Sequence, residues 1–535
     1  MTTTIGRRGF LGWAGLGAAA VFAGTGAWQG DVAAAAPREA KGGNPFTLGV
    51  ASGDPAADSV VLWTKLAPEP FAADGRGGMP DRPVVVLWEV ADDERMTRIV
   101  RRGQVVATPA LGHAVHPEVR GLAPDRCYFY RFRVAAPGGA VSPVGRTRTT
   151  PKPSATPAAL AFAFASCQRW QDGYYTAYDH MVREDLDLVV FLGDYIYESE
   201  LKKLKRDSGP PPGALTTEPT ELVGYRNRYA LHKSEAPLQA AHAAFPWIAV
   251  FDDHEVENNW AGDISEVDGE PDNDPAVFRK RRADAFRAYY EHLPLRAAQT
   301  PKGPDMRLYR RLSYGTLAEF TMLDTRQYRD DQACGDSDDA VDCTERFDER
   351  RTILGAPERQ WLLDGLTRSQ ARWKVLGNQV PMGQTDSDPG PPVAVSTDAW
   401  DGYVADRNRL LGAAADAHVS NLVVITGDRH ENYAGDLLRS WEQPGSPVVA
   451  SEFVGTSITS KGDGQDLSDD VRRKKEATPT LKFVNDQRGY VRVDVTPDQW
   501  RSSYRVLDRV QTRGGQVSTR AVWAVENGRP GVVPG

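Results

Sequence analysis

From about residue 158 onward the apolar positions come in short runs, and each run stops abruptly on polar residues with ligand chemistry. "LAFAFASC", "LDLVVFLGD", "WIAVFDDHE", "LAEFTMLDTR", "ARWKVLGNQ" and "NLVVITGDRH" all have this form. Short continuous apolar runs predict strands buried on both faces. Between them, "DPAVFRKRRADAFRAYYEHL" and "GAPERQWLLDGLTRS" repeat their apolar residues at helical spacing. The alternation predicts α/β layers, in which sites gather at the carboxyl ends of strands. One Asp or Asn after a strand is ordinarily a turn or a cap. Six ends carrying Cys, Asp, Asp-Asp-His, Asp-Thr-Arg, Asn-Gln and Asp-Arg-His predict a single crowded polar site.

Residues 44–150 read differently. Alternating runs such as "SVVLWTKL", "PVVVLWEV" and "CYFYRFRV" are separated by Gly, Pro and Asp. "VRGLAPDRCYFYRFRV" resembles the corner and following strand of a fibronectin-type-III-like sandwich. This predicts a small all-β domain over 44–150, to which no chemistry is assigned. "TTPKPSATPA" is a Pro-rich hinge, and the catalytic domain is expected over 158–520. "TRAVWAV" partly alternates, and the Gly/Pro-rich end then predicts a loose tail over 521–535.

The net charge of −8 argues against nucleic-acid binding through a broad basic surface. There is no fixed-period repeat. The first residues look like an address: Arg7 and Arg8 precede a Gly- and Ala-rich stretch, and "VAAAAP" offers cleavage after Ala36. Residues 1–36 resemble a twin-arginine export signal, with Phe10 and Leu11 in place. Gly6 before the arginines and Gly12 where Lys is frequent depart from that pattern, and an ordinary secretory signal or a retained anchor are the rivals. No other segment has the apolar length to span a bilayer. Export makes cysteines informative. Cys334 and Cys343 bracket "GDSDDAVD" and predict a local disulfide, with a calcium loop as the rival although the spacing is not that of an EF-hand; Cys127 reads as a core residue, and Cys167, at a strand exit, as a buried structural thiol or a chemical one.

Carboxylates, amides, imidazoles, one thiol and one phenol suit metal ions better than a triad, and no GxSxG, Walker or HExxH motif is present. Hard oxygens favour Ca²⁺, Mg²⁺ or Mn²⁺, while thiolate and imidazole favour a transition metal. In order along the chain, "SCQ", "GDYIYE", "DDHEVENN", "LDTRQYR", "GNQ" and "GDRHENY", with "FTLGVASGDP" near the start, resemble the PhoD-like alkaline phosphatase/phosphodiesterase family. That family lies within the calcineurin-like metallophosphoesterases and includes secreted phospholipase D enzymes.

The resemblance implies a metallophosphoesterase sandwich, mixed β-sheets flanked by helices, behind the small fibronectin/Ig-like domain. It implies a secreted enzyme that hydrolyses phosphate monoesters and/or diesters with a metal-activated oxide or hydroxide. The alternative is a phospholipase D acting on phospholipid headgroups at the same site. It further implies one Fe³⁺ with one or two Ca²⁺. Cys167 and Tyr197 would ligate iron with His430, Asp194 would bridge iron to calcium, and Asp253, Asn258 and Asp428 would ligate calcium. His254 is the candidate general acid or a hydrogen-bond donor behind the ligands. Arg326 would orient ligands or phosphate, or pair structurally. Asn378 would reach the phosphate or a metal, or cap its strand. The protein is expected to act as a monomer on a phosphate-ester substrate. A protein whose cluster is purely structural, with every ligand saturated, is the reading from another class.

Overall fold

The computed structural model describes residues 43–535 except 202, 210, 212–214 and 267–270. The export-signal reading falls on residues 1–36, outside those described.

The N-terminal strands make two layers. Ile99–Ala107, Val84–Ala91, Cys127–Val134 and Gly145–Arg148 form an antiparallel sheet in that order. Facing it are Val50–Gly53 and Ser59–Lys65, with Ala114–Val115 and Glu118–Arg120 on the latter's outer side. Val60, Leu62, Val86, Tyr130 and Phe132 pack between the layers. The corner read from the sequence is present: Ala123 N–H donates to the Tyr128 hydroxyl at 2.8 Å.

This second layer does not end at the hinge. Val50–Gly53 pairs in parallel with Pro246–Val250, Ser52 opposite Pro246 and Gly53 opposite Trp247. The N-terminal strands thereby flank a sheet whose eleven described strands run on through Leu188–Leu192 and Leu160–Ala165 to the C-terminal strands. That is why all seven residues of Ser59–Lys65 are buried rather than alternate ones. The face away from the sandwich is covered as well, where the Trp63 indole N–H donates to the Glu291 carbonyl at 3.1 Å.

A second, seven-stranded sheet packs on the first, in the order Arg310–Tyr314, Ala318–Met322, Trp373–Asn378, Leu422–Thr426, Val448–Val454, Asn432–Leu438, Leu481–Asn485. The core lies between the sheets, with Phe162 edge-on to Phe320 (5.2 Å between centroids) and Trp373 6.0 Å from Trp500. Truncating one such ring to Ala costs about 3–5 kcal/mol. Helices Leu222–Lys233, Ala236–Ala244 and Pro275–His292 are joined to the central core by residues such as Tyr229, Leu238 and Phe286. Gly355–Arg368 and Val404–Asp416 belong with the second sheet, through Leu362 and Leu410 against Leu376 and Val424. The Pro275–His292 helix starts where the sequence signals it: Asp274 accepts from Ala276 N–H, and Pro275 occupies the first turn.

The tail expected over 521–535 is corrected. Val517–Glu526 is one strand paired with Gln499–Leu507, and Val533–Pro534 folds back on it. The alternation in "TRAVWAV" continues past residue 520 because the ladder does.

Candidate metal centre

The polar strand ends converge at one end of the two parallel strand sets. Leu160–Ala165 leads to Cys167, Leu188–Leu192 to Asp194 and Tyr197, Pro246–Val250 to Asp252, Asp253 and His254, and Leu422–Thr426 to Asp428 and His430. The chain turns sharply to present them. Cys167, Asp194, Asp428 and His430 have φ of 58°, 57°, 63° and 60°, a left-handed conformation that non-glycine residues adopt mainly where surrounding structure imposes it. Two glycines let the loops touch. A Cβ on Gly193 would sit 2.4 Å from Asp252 Cβ, and one on Gly427 would sit 2.9 Å from Ser166 Cβ.

Three sets of ligand atoms result, each set within 4.8 Å of itself: Cys167, Asp194 and His430; Asp194, Asp253 and His254; Asp252, Asp253 and Asp428. Asp194 and Asp253 each belong to two sets. The Tyr197 hydroxyl donates to Asp194 Oδ2 at 2.8 Å, lies 2.9 Å from His430 Nε2 and accepts from Ser460 Oγ at 2.8 Å.

The electrostatics favour bound cations. Asp194 Oδ1, Asp252 Oδ2 and Asp253 Oδ1 are buried and have no hydrogen-bond partner, a costly state for a carboxylate oxygen. Burial, then the Asp253 charge, pushes Asp194 well up. Burial also raises Asp252, although Arg326 opposes it, and takes Asp428 up to about 7. Only Asp253 is held below the usual carboxylate range: burial works against it, but Arg326 and His254 outweigh burial. The Cys167 thiol and Tyr197 phenol are driven up, first by burial and then by nearby acidic groups. A bound cation opposes each of the upward shifts and reinforces the downward one at Asp253. The mixed S, N and O set at Cys167 suits a transition metal, and the all-carboxylate set at Asp252 suits a harder ion.

His254 lies on the wall of an open cleft of about 410 Å³ shared with Tyr197, Glu198, Asn258, His430 and Ser460, with Arg169 and Lys461 also lining it. Its Nδ1–H donates to Glu198 Oε2 at 2.7 Å, and Nε2 is 3.9 Å from Asp253 Oδ2. Burial alone lowers the imidazole's pKa, but Glu198, Asp253 and Asp194 outweigh it and hold the pKa well up.

Two of the three catalytic candidates face elsewhere. Arg326 is fully buried: Nε donates to Asp252 at 2.6 Å, the two terminal nitrogens grip Asp398 at 2.7 and 2.9 Å, and Asp253 is 3.4 Å away. It holds carboxylates and does not reach the cleft. Asn378, also fully buried, donates to the Val380 carbonyl at 2.5 Å and accepts from Trp400 at 3.2 Å. It caps its strand. Asn258 lines the cleft, with its amide nitrogen on Glu266 and its backbone N–H on Glu198 Oε1 at 3.0 Å.

Sequence reasoning missed Asp252, and for Glu198 and Glu255 it left open a solvated position or one behind the ligands. Glu255 is fully buried and accepts the N–H groups of Asp194 (3.1 Å), Tyr195 (2.6 Å) and Asp252 (2.8 Å), tying two ligand loops together. The doubled Asp of "DDHE" was the one available signal for Asp252.

Comparison with known proteins agrees with this geometry. The family model for PhoD-like phosphatase matches residues 162–504, and that for its N-terminal domain matches 31–151. Alkaline phosphatase D of Bacillus subtilis (strain 168) is 47% identical over 488 residues, 91% of this chain and 82% of that protein. The solved structure of PhoD superposes with a TM-score of 0.87 at 46% identity, covering 93% of each chain. A purple acid phosphatase from yellow lupin (Lupinus luteus) seeds shares the fold alone, at a TM-score of 0.50 and 11% identity over 89% of this chain and 74% of that one. Phospholipid hydrolysis gains no support from these matches. The protein is a phosphoric-ester hydrolase, and the chain belongs to the PhoD-like phosphatase family.

Proposed function

We propose that this chain is a secreted alkaline phosphatase acting on phosphate monoesters and diesters at a centre of ferric iron and calcium. The observation that carries the reading is the set of three buried carboxylate oxygens without a hydrogen bond on Asp194, Asp252 and Asp253, in linked ligand clusters that also take in Cys167 and His430. Cys167, Tyr197 and His430 would hold iron, Asp194 would bridge, and Asp252, Asp253 and Asp428 would hold calcium, with Asn258 at the cleft edge. Bound there, the ions would supply Lewis acidity to the phosphoryl oxygens and to the attacking water.

The side chains do the rest. Glu198 fixes His254 through Nδ1, so Nε2 is the atom that gives a proton to the departing alcohol oxygen. Arg169, its guanidinium 5.5 Å from the Tyr197 ring centroid and bonded to Ser199 Oγ at 2.8 Å, brings positive charge to the phosphate side of the cleft, as does Lys461. Arg326 keeps Asp252 and Asp253 aimed inward. The resemblance of residues 1–36 to a twin-arginine signal supports export of the folded, metal-loaded protein. Residues 44–150 are proposed as the N-terminal unit and 158 onward as the catalytic one, and among the described residues no helix is long and apolar enough to cross a membrane.

Elemental analysis with visible spectroscopy tests the proposal. Iron and calcium should be present, with a charge-transfer band that both Cys167→Ala and Tyr197→Phe alter. Zinc or manganese alone with no band would remove Tyr197 from the metal, and a metal-free active protein would end the proposal.

A further inference from the structure

The acidic loop closed by the Cys334–Cys343 disulfide has no role in the site as described so far, yet it reaches the metal ligands through one residue. Asn259 donates its backbone N–H to Asp253 Oδ2 at 3.0 Å. Its side-chain amide donates to Asp336 Oδ2, inside the loop, at 2.8 Å. Its carbonyl accepts from Gln332 Nε2, which also donates to Asp398 Oδ1 at 2.9 Å, the carboxylate gripped by Arg326. The loop is pinned on the other side too: Ser337 N–H donates to Thr397 Oγ1 at 3.0 Å, and Thr397 N–H donates to the Ser337 carbonyl at 2.9 Å.

Asn259 therefore cannot move without breaking contacts to the loop, and Asp253 Oδ2 depends on Asn259 for its orientation. Asn259 itself has a φ of 50°, and Cys334, Asp336 and Asp342 have φ of 56°, 54° and 54°. Asn and Asp enter this left-handed region readily, whereas Cys334 does so where its surroundings hold it. The exposed, acidic loop has a small buried core of Ala333, Ala340 and Cys343 and a short ladder to Ala394–Val395, and the covalent bond is the one constraint a reductant can remove. Cys334 lies at the surface, open to a reductant.

We propose that Asn259 is the positioning residue for the Asp253 carboxylate, that Asp336 clamps it, and that the Cys334–Cys343 bond sets how firmly the centre retains its metal. Reduction moves two electrons from the reductant into the S–S bond and leaves two thiols. The loop then relaxes, Asp336 leaves Asn259, and Asp253 loses a fixed donor. Residues that orient metal ligands in this way typically change metal affinity by about 10–100-fold. The inference rests on the metal-centre reading above.

The test follows metal release, not turnover. Metal-loaded parent, Asp336→Ala, Asp336→Asn and the C334S/C343S double variant are mixed with EDTA, and the metal left on the protein is measured with time. The melting temperature of each is recorded with EDTA in excess. Asp336→Ala and C334S/C343S should lose metal at least about tenfold faster than the parent. Asp336→Asn, which keeps an amide oxygen to accept from Asn259, should stay near the parent. The metal-free melting temperature of Asp336→Ala should match the parent's, which separates orientation of a ligand from general weakening. Equal release from Asp336→Ala and parent overturns the clamp, as does release from Asp336→Asn as fast as from Asp336→Ala. Should the double variant fail to fold, the folded parent reduced with a phosphine takes its place; unchanged release there overturns the disulfide's share alone. A parent that binds no metal overturns this inference and the proposed function together.

Discussion

Helix Leu222–Lys233 carries a histidine, His232, whose behaviour with pH can be worked out from its surroundings. Its Nδ1–H donates to the Arg228 carbonyl at 2.9 Å, Nε2 is buried with no partner, and 1% of the residue is exposed. Burial first, with Arg228 and Arg206 adding to it, brings its pKa down from 6.5 to about 3. Above pH 6.5 the imidazole is neutral in the folded and the unfolded chain, so no pH term arises. Below pH 6.5 the unfolded chain takes up a proton that the folded chain refuses, and stability falls as the pH falls, until the folded form also protonates near pH 3. At pH 4 the loss amounts to about 3 kcal/mol. His232→Phe keeps a ring against Tyr175, 6.4 Å away, and removes the titration. Urea denaturation at pH 7, 5.5 and 4, with EDTA present so that metal-ligand protonation is common to both proteins, should show a smaller loss in the variant by about that amount. Superimposable pH profiles for parent and variant would refute the reasoning.

Three further outcomes are expected. Arg326→Met should lower stability by about 3–5 kcal/mol, because Asp252 is left buried and unpaired while Asp398 keeps only Arg329 and Gln332; a parent-like melting temperature would contradict it. Glu255→Gln must turn an amide N–H toward at least one of three backbone N–H groups, which should cost about 1–3 kcal/mol and show as a lower urea midpoint. Glu198→Gln should slow hydrolysis of a methyl phosphate ester by at least about tenfold while leaving a p-nitrophenyl ester little changed, since only the poor leaving group needs the proton from His254. Equal losses on both esters would remove His254 from that role.

How far the sequence reaches is clearest at particular residues. The parallel strands were legible because strands such as Leu188–Leu192 are buried along their whole length, so each reads as an unbroken apolar run whose end is conspicuous. Cys167, Asp194, Tyr197, Asp253, Asp428 and His430 followed from those ends and from the family resemblance, and the structure brings them together. For Arg326 the sequence left ligand orientation, phosphate contact and a structural pair open, because its partner Asp398 lies 72 residues away and no local pattern tells a buried clamp from a phosphate ligand. Glu198 and Glu255 read as either solvated groups or groups behind the ligands, since a carboxylate's burial depends on who donates to it. The C-terminal ladder was half visible, hidden by the irregular register between Tyr504 and Arg505 and by the Gly-Arg-Pro turn. The pairing of Val50–Gly53 with Pro246–Val250 left no local signal at all.

That pairing has a consequence for how the chain acquires its structure. Strand Val50–Gly53 emerges early in synthesis but waits about 200 residues for its parallel partner, which makes the contact slow to form and late in the order of events. A fragment ending at the hinge would present one side of Val50–Gly53 as an open edge. A fragment beginning there would do the same with Pro246–Val250, the strand that delivers Asp252 and Asp253. Unpaired apolar edges of this kind recruit other chains. The two parts match separate family models yet share one sheet through Val50–Gly53 and Pro246–Val250, so the strand that delivers Asp252 and Asp253 is expected to complete its pairing only after the first strands of the chain have closed against the middle of it.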